Sequence, residues 1–127
     1  MPVTIDRVNA HAMKFPDVSV GTKWGNRTWM INNKGFVWQR PLRASDLKRL
    51  GDEVPPSDPI IAIRTENLEA KDGLLAMDLP GFFTIQHFNG YPAVLVELKK
   101  ARAADVRMAI ELAYRAVATR RPRRRSR

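Results

Sequence analysis

Trp24 to Trp38 reads WGNRTWMINNKGFVW and holds all 3 tryptophans of the chain. Thr28–Ile31 and Phe36–Arg40 alternate with the two-residue period of extended strands. Between them, Asn32-Asn33-Lys34-Gly35 is turn chemistry, because asparagine tolerates and glycine favours left-handed backbone angles. The spacing predicts a β-hairpin. Trp29 and Ile31 would face one side of it, Thr28 and Met30 the other. On the return strand Phe36 and Trp38 would share a face, and Val37 and Gln39 the opposite one. One face is then strongly apolar and needs a core. Trp24 stands apart. It precedes the strand, in a loop spanning 17–26 beside Lys23 and Gly25; a lid over the edge of the core is its plainer role, and stacking on a base or a small ligand the alternative.

Outward from the hairpin, Val3–Phe15 has apolar residues at helical spacing and is stopped by Pro16. Arg43–Leu50 reads as a short helix with Ser45 in its first turn and Gly51 as its stop. GDEVPPSDP is a polar, proline-rich loop, and Ile60–Thr65 reads as a strand. Asn67 is placed to cap a helix reaching about Met77, although Gly73 weakens it. Phe82–Phe88 and Ala93–Leu98 read as a second hairpin around Asn89-Gly90-Tyr91-Pro92, since Asn-Gly is a strong hairpin turn. Ala101–Thr119 is the longest helix. Val106, Ile110, Ala113 and Val117 form one stripe, with Ala109, Leu112 and Ala116 beside it. This order gives an α+β class, with an antiparallel sheet of two hairpins packed against helices.

The chain has 127 residues, with a hydrophobic fraction of 44% and a charged fraction of 28%. These values fit one folded domain, expected over 1–119. There is no cysteine, which removes disulfides, thiolate nucleophiles and cysteine metal sites. No apolar run approaches membrane-spanning length and none resembles a signal peptide, so a cytoplasmic location is expected. The net charge is +9, and the segment RRPRRRSR over 120–127 supplies six arginines and no acid. Arg120, Arg121, Arg123, Arg124 and Arg125 are therefore expected in a disordered basic tail that meets phosphates without sequence preference. A solvated tail with no partner is the plainer alternative.

The stretch FFTIQHFNGYPAVLVEL resembles the signature region of the MmcQ/YjbR family. HFNGYPAVLV is its specific part: a His-aromatic-Asn-Gly-Tyr-Pro turn, then an apolar strand and a long last helix. Gly25, TWMI, Lys34-Gly35 and FVW match the family's first hairpin, and Phe15-Pro16 its early helix end. The resemblance covers about residues 3–118. It implies a small bacterial α+β domain with two exposed hairpins and a DNA-binding role, with no catalytic residues. Asn89 stands where the family commonly has aspartate.

The residues offer little enzyme chemistry. His87 sits beside a tight turn, but the other histidine, His11, is on the first helix, so the two form no metal motif. Glu66, Glu69 and Asp72 have helical spacing and read as a polar face. Ser19, Ser45 and Ser57 lie in no nucleophile motif, and the glycines follow no phosphate-loop spacing. No enzyme, metal or cofactor is expected. Candidate phosphate contacts are Lys23, Arg27, Lys34 and Arg40 around the first hairpin, and Lys99, Lys100 and Arg102 after the second. The expected partner is DNA, bound in a salt-dependent and largely non-specific way. The alternative is a groove for a small ligand or a protein between Trp24, His87 and Tyr91.

Overall fold

A computed structural model describes residues 3–120. The elements in chain order are α1 (Ile5–Ala12), β1 (Val18–Lys23), β2 (Asn26–Ile31), β3 (Lys34–Gln39), α2 (Ala44–Leu50) and β4 (Ile60–Arg64). They continue with α3 (Leu68–Ala76), β5 (Phe82–Phe83), a short 3-10 helix (Gln86–Phe88), β6 (Ala93–Glu97) and α4 (Ala103–Arg120). The strands form one antiparallel sheet in the order β1-β2-β3-β4-β6-β5. The α+β class and the long last helix are as expected. The arginines beyond Arg120 lie outside the described residues.

Local signals set several boundaries. Thr4 caps α1 by accepting from the Arg7 amide at 3.1 Å, and Asn67 caps α3 by accepting from the Ala70 amide at 2.8 Å, which supplies otherwise orphaned donors with acceptors. Gly51 ends α2 at φ 63. The strands IIAIR and AVLVE are apolar on both faces because β4 and β6 are central and covered on both sides.

Alternation divides these strands between two cores. Ile61 and Ile63 of β4 and Val94 and Val96 of β6 face α1, α3 and α4, together with Val8, Ile110 and Val117. Ile60, Ala62, Ala93 and Leu95 face the other way, against Ile85 and Phe88, with Trp38, Leu42 and Phe83 packed on the same cluster. Helices cover the first face. The 3-10 segment covers only part of the second, where α2 packs against it.

The structure corrects the sequence reading at four places. Val18–Lys23 is a strand, not a loop, and pairs with β2 through a turn at Trp24 (φ 55) and Gly25 (φ 80). It is an edge strand with few apolar residues, so its hydrophobic signal is weak. In β2–β3 the register slips between Trp29 and Met30: Trp29 pairs with Val37 but Met30 with Gly35. Phe36 is the extra residue of this bulge. Phe36 and Val37 consequently both enter the helix-side core, while Trp38 joins the opposite cluster. Phe36 and Trp38 do not share a face. The second hairpin is not tight either. β5 stops at Phe83, and Gln86–Phe88 turns into a 3-10 helix before β6. Finally, Leu112 is 52% exposed, although its neighbours Val106, Ala109, Ile110, Ala113, Ala116 and Val117 are buried.

Candidate functional site

The tryptophans of the opening stretch have separate fates. Trp29 is fully buried, and its indole N–H donates to Asn9 Oδ1 at 2.9 Å, which ties α1 to the sheet. Trp38 is half-buried on the face that the helices leave open. Trp24 is 91% exposed at the tip of the β1–β2 turn. Its left-handed backbone is uncommon for a bulky residue, and such strain persists where surrounding structure or function requires it.

Trp24 and Trp38 border one cavity of about 230 Å³, together with Lys23, Asn26, Thr28, Gly35, Arg40, Arg43, Arg64, His87, Phe88 and Tyr91. The expected groove residues Trp24, His87 and Tyr91 are thus brought together, although they come from opposite ends of the sequence. The wall combines aromatic rings with basic side chains, and no carboxylate lines it.

Arg64 is held in place from several directions. Its Nε donates to the Gly35 carbonyl at 2.9 Å and its Nη2 to the Tyr91 hydroxyl at 3.3 Å. Its guanidinium carbon lies 5.7 Å from the ring centres of both Trp38 and Tyr91. A cation so placed over ring faces is attracted by their quadrupoles. Gly35 lets β3 pack closely on β2 here: a Cβ there would sit 2.8 Å from Thr28 Cγ2.

Arg40 is buried, with 4% of its surface accessible. Nη1 meets Asp46 Oδ2 at 3.1 Å and the Pro41 carbonyl at 2.7 Å, and the guanidinium lies over the Phe88 ring. Its Nη2 has no hydrogen-bond partner among the described residues. The same Asp46 oxygen accepts from the Arg43 amide at 2.9 Å. Burial pushes the Asp46 carboxyl up, but the Arg43 amide and the charge of Arg40 outweigh it and hold the group below its ordinary value.

Lys71 supports the far wall from beneath. It is buried on α3, and its Nζ donates to the carbonyls of Phe88 at 2.6 Å and Tyr91 at 2.8 Å. Burial lowers its pKa, opposed by Asp72.

The expected phosphate contacts do not form one set. Lys23 lines the cavity and donates to the Asn33 carbonyl, in the turn at the other end of β2. Arg27 is exposed and lies 6.0 Å from the Trp29 ring centre. Lys34 is exposed in β3, at the end of the sheet where Arg64 pairs with Ala93. Lys99, Lys100 and Arg102 are exposed beyond Glu97, at the opposite end of β6, and Lys100 lies 3.6 Å from Glu97. Arg40 is withdrawn from the surface by Asp46, which corrects its assignment as an exposed phosphate contact. Arg120 closes α4, and Arg121, Arg123, Arg124 and Arg125 lie outside the described residues.

Arg43 and Arg64 were missed by the sequence reading. Arg64 carries a signal in retrospect, as the one charge ending an otherwise apolar central strand. Arg43 carries none, since its place in the cavity depends on how α2 docks. His11 is on α1 and His87 on the opposite side of the sheet, so they do not converge. Glu66, Glu69 and Asp72 are exposed. Among the described residues no group of three or more His, Asp or Glu side chains is placed to hold a metal, and no helix is long and apolar enough to cross a membrane.

No family model matches the chain, and no solved structure matches it. It is 43% identical over 90 residues to an uncharacterized protein of Mycobacterium tuberculosis, covering 68% of each chain. The same identity and coverage relate it to an uncharacterized protein of Mycobacterium bovis. The chain therefore belongs to the same family as these mycobacterial proteins.

Proposed function

We propose that the protein is a non-enzymatic binding protein, and that its ligand is an anion carrying a planar ring, of nucleotide class. The cavity on the open face of the sheet is its site. One observation carries this reading: Lys23, Arg40, Arg43 and Arg64 line the same cavity as Trp24, Trp38, Phe88 and Tyr91, and no acid does. The rings supply stacking surfaces and the guanidinium groups supply charge-assisted donors. A concave wall with a few convergent polar groups is the usual form of a small-ligand site. The test is a tryptophan-fluorescence titration with nucleoside monophosphates, backed by calorimetry. Saturable quenching that Trp24→Ala weakens is the expected result. Absence of both quenching and heat would overturn the reading.

A second reading keeps what the MmcQ/YjbR resemblance implies. Phosphates of duplex DNA would be held by Lys34, Lys99, Lys100, Arg102 and the arginines at the end of the chain, without dependence on the cavity. The net charge of +9 favours it, and such binding weakens steeply with salt. Against it, Lys34 and Lys99 lie at opposite ends of the sheet. Duplex binding across a salt series, with Lys34→Glu and Lys99→Glu compared, separates the two. A cytoplasmic placement goes with either reading.

A further inference from the structure

We infer that the ligand carries two anionic groups in addition to its planar ring, as an unpaired nucleotide with phosphates on both its 5′ and 3′ oxygens does. This rests on the proposed use of the cavity and adds the ligand's charge layout. The sheet register supplies the argument. The Arg40 amide donates to the Ile60 carbonyl at 2.9 Å, which places Arg40 opposite the start of β4. Arg64 is the last residue of the same strand. At 3.3 Å per residue these two backbone positions are about 13 Å apart along the sheet. Trp38 pairs with Ala62, midway between them.

The cavity thus has a basic group at each end and an aromatic ring in the middle. At one end Arg43 stands beside buried Arg40. At the other, Arg64 is clamped by Gly35 and Tyr91. An anion with a single charged group would satisfy one end and leave the other as an unfilled positive site. A nucleotide with phosphates on its 5′ and 3′ oxygens can turn one toward each end, with the face of its base toward Trp38 and the exposed indole of Trp24 at the rim. A paired base is already stacked and hydrogen-bonded within its duplex, so only an unpaired nucleotide presents this shape. That chemistry has two sources: a free nucleoside 3′,5′-bisphosphate, or an internal nucleotide of a single strand.

The experiment titrates the full-length protein with thymidine 5′-monophosphate, thymidine 3′,5′-bisphosphate, a short oligothymidylate and a blunt duplex, at fixed salt. The expected result is bisphosphate binding at least about tenfold tighter than monophosphate, as one added charge-assisted contact predicts. Arg43→Gln and Arg64→Gln should each remove most of that advantage, with unchanged melting temperature for Arg43→Gln, whose side chain is exposed. Oligothymidylate binding tighter than bisphosphate, and sensitive to both substitutions, identifies a single strand as the source. Weaker oligothymidylate binding identifies the free bisphosphate. Equal affinity for monophosphate and bisphosphate overturns the two-anion inference while the cavity remains a ligand site. Binding of oligothymidylate and duplex that ignores both substitutions also overturns it, since the terminal arginines would then explain the signal. Failure of every probe to bind overturns the reading of the cavity itself.

Discussion

Arg40 Nη1 and Asp46 Oδ2 lie 3.1 Å apart, with side chains only 5% and 2% accessible. The pair joins the end of β3 to the first turn of α2, and of the two only Arg40 lines the cavity. Removing one member leaves the other charged and buried, which costs more than the intact pair contributes. Asp46→Asn should lower unfolding free energy at pH 7 by about 3–5 kcal/mol, read from urea denaturation. The carboxyl titrates below its ordinary value of 3.8 when folded. Its stabilisation is therefore complete above 3.8 and is lost as pH falls through the lower folded value. The variant should lack this part of the acid transition. An unchanged urea midpoint at pH 7 would refute the pair's structural role.

Lys71 offers a second test of the same wall. Its ammonium is the donor for two main-chain carbonyls, of Phe88 and Tyr91. Lys71→Met keeps the length and removes the ammonium donor from both carbonyls, which keep only the amides of Tyr91 and Ala93 as donors. A loss of about 1.5–3 kcal/mol is expected, from the lost hydrogen bonds of a charged donor. Nucleotide affinity should fall as well, because Phe88 and Tyr91 lose their support. A variant as stable as the parent would show that water replaces the ammonium.

His11 predicts a pH effect near neutrality. It sits between α1 and α4, and burial, then the charges of Lys14 and Arg107, depress its pKa below 6.5. The folded state then binds fewer protons than the unfolded state between that lowered value and 6.5. Stability should fall as pH is lowered through this window and level off below it. His11→Gln should flatten the dependence, as seen by melting temperatures at pH 7.5 and 5.0. Parallel curves for parent and variant would rule His11 out.

Gly81 and Gly90 form a matched pair. Both have positive φ, 83 and 76. A Cβ on Gly81 would lie 2.7 Å from the Glu97 carbonyl oxygen and 3.0 Å from the Ala101 nitrogen, whereas nothing approaches within 4 Å at Gly90. Gly90→Ala should cost only the backbone term, about 1 kcal/mol. Gly81→Ala adds overpacking against main chain and should cost about 1–3 kcal/mol more. Equal losses in thermal denaturation would mean that the β6–α4 junction moves aside freely.

Much of this fold was legible because it is local. Asn67 caps α3 and Gly51 ends α2 through side-chain or backbone geometry within a few residues. Ile60–Thr65 and Ala93–Leu98 read as strands, and the observed strands Ile60–Arg64 and Ala93–Glu97 each end one residue earlier. The period of α4 placed Val106, Ile110, Ala113 and Val117 inside. Where the reading failed, a non-local effect decided. β1 has little hydrophobic signal, and it is a strand because β2 offers it hydrogen-bonding partners. The bulge at Phe36 reverses the face of Trp38, since side-chain period is two and one extra residue flips all that follow.

By itself, then, the sequence determined the α+β class, most element positions and the aromatic, basic character of the first hairpin. Only the tertiary structure decided that Arg40 is hidden by Asp46, that Arg43 and Arg64 join Trp24, Trp38, His87 and Tyr91, and that Lys34 and Lys99 are kept apart. The physical reason is that helix and strand preferences are set by near neighbours. A binding site is set by strand order and register, which bring together residues that no local interaction connects.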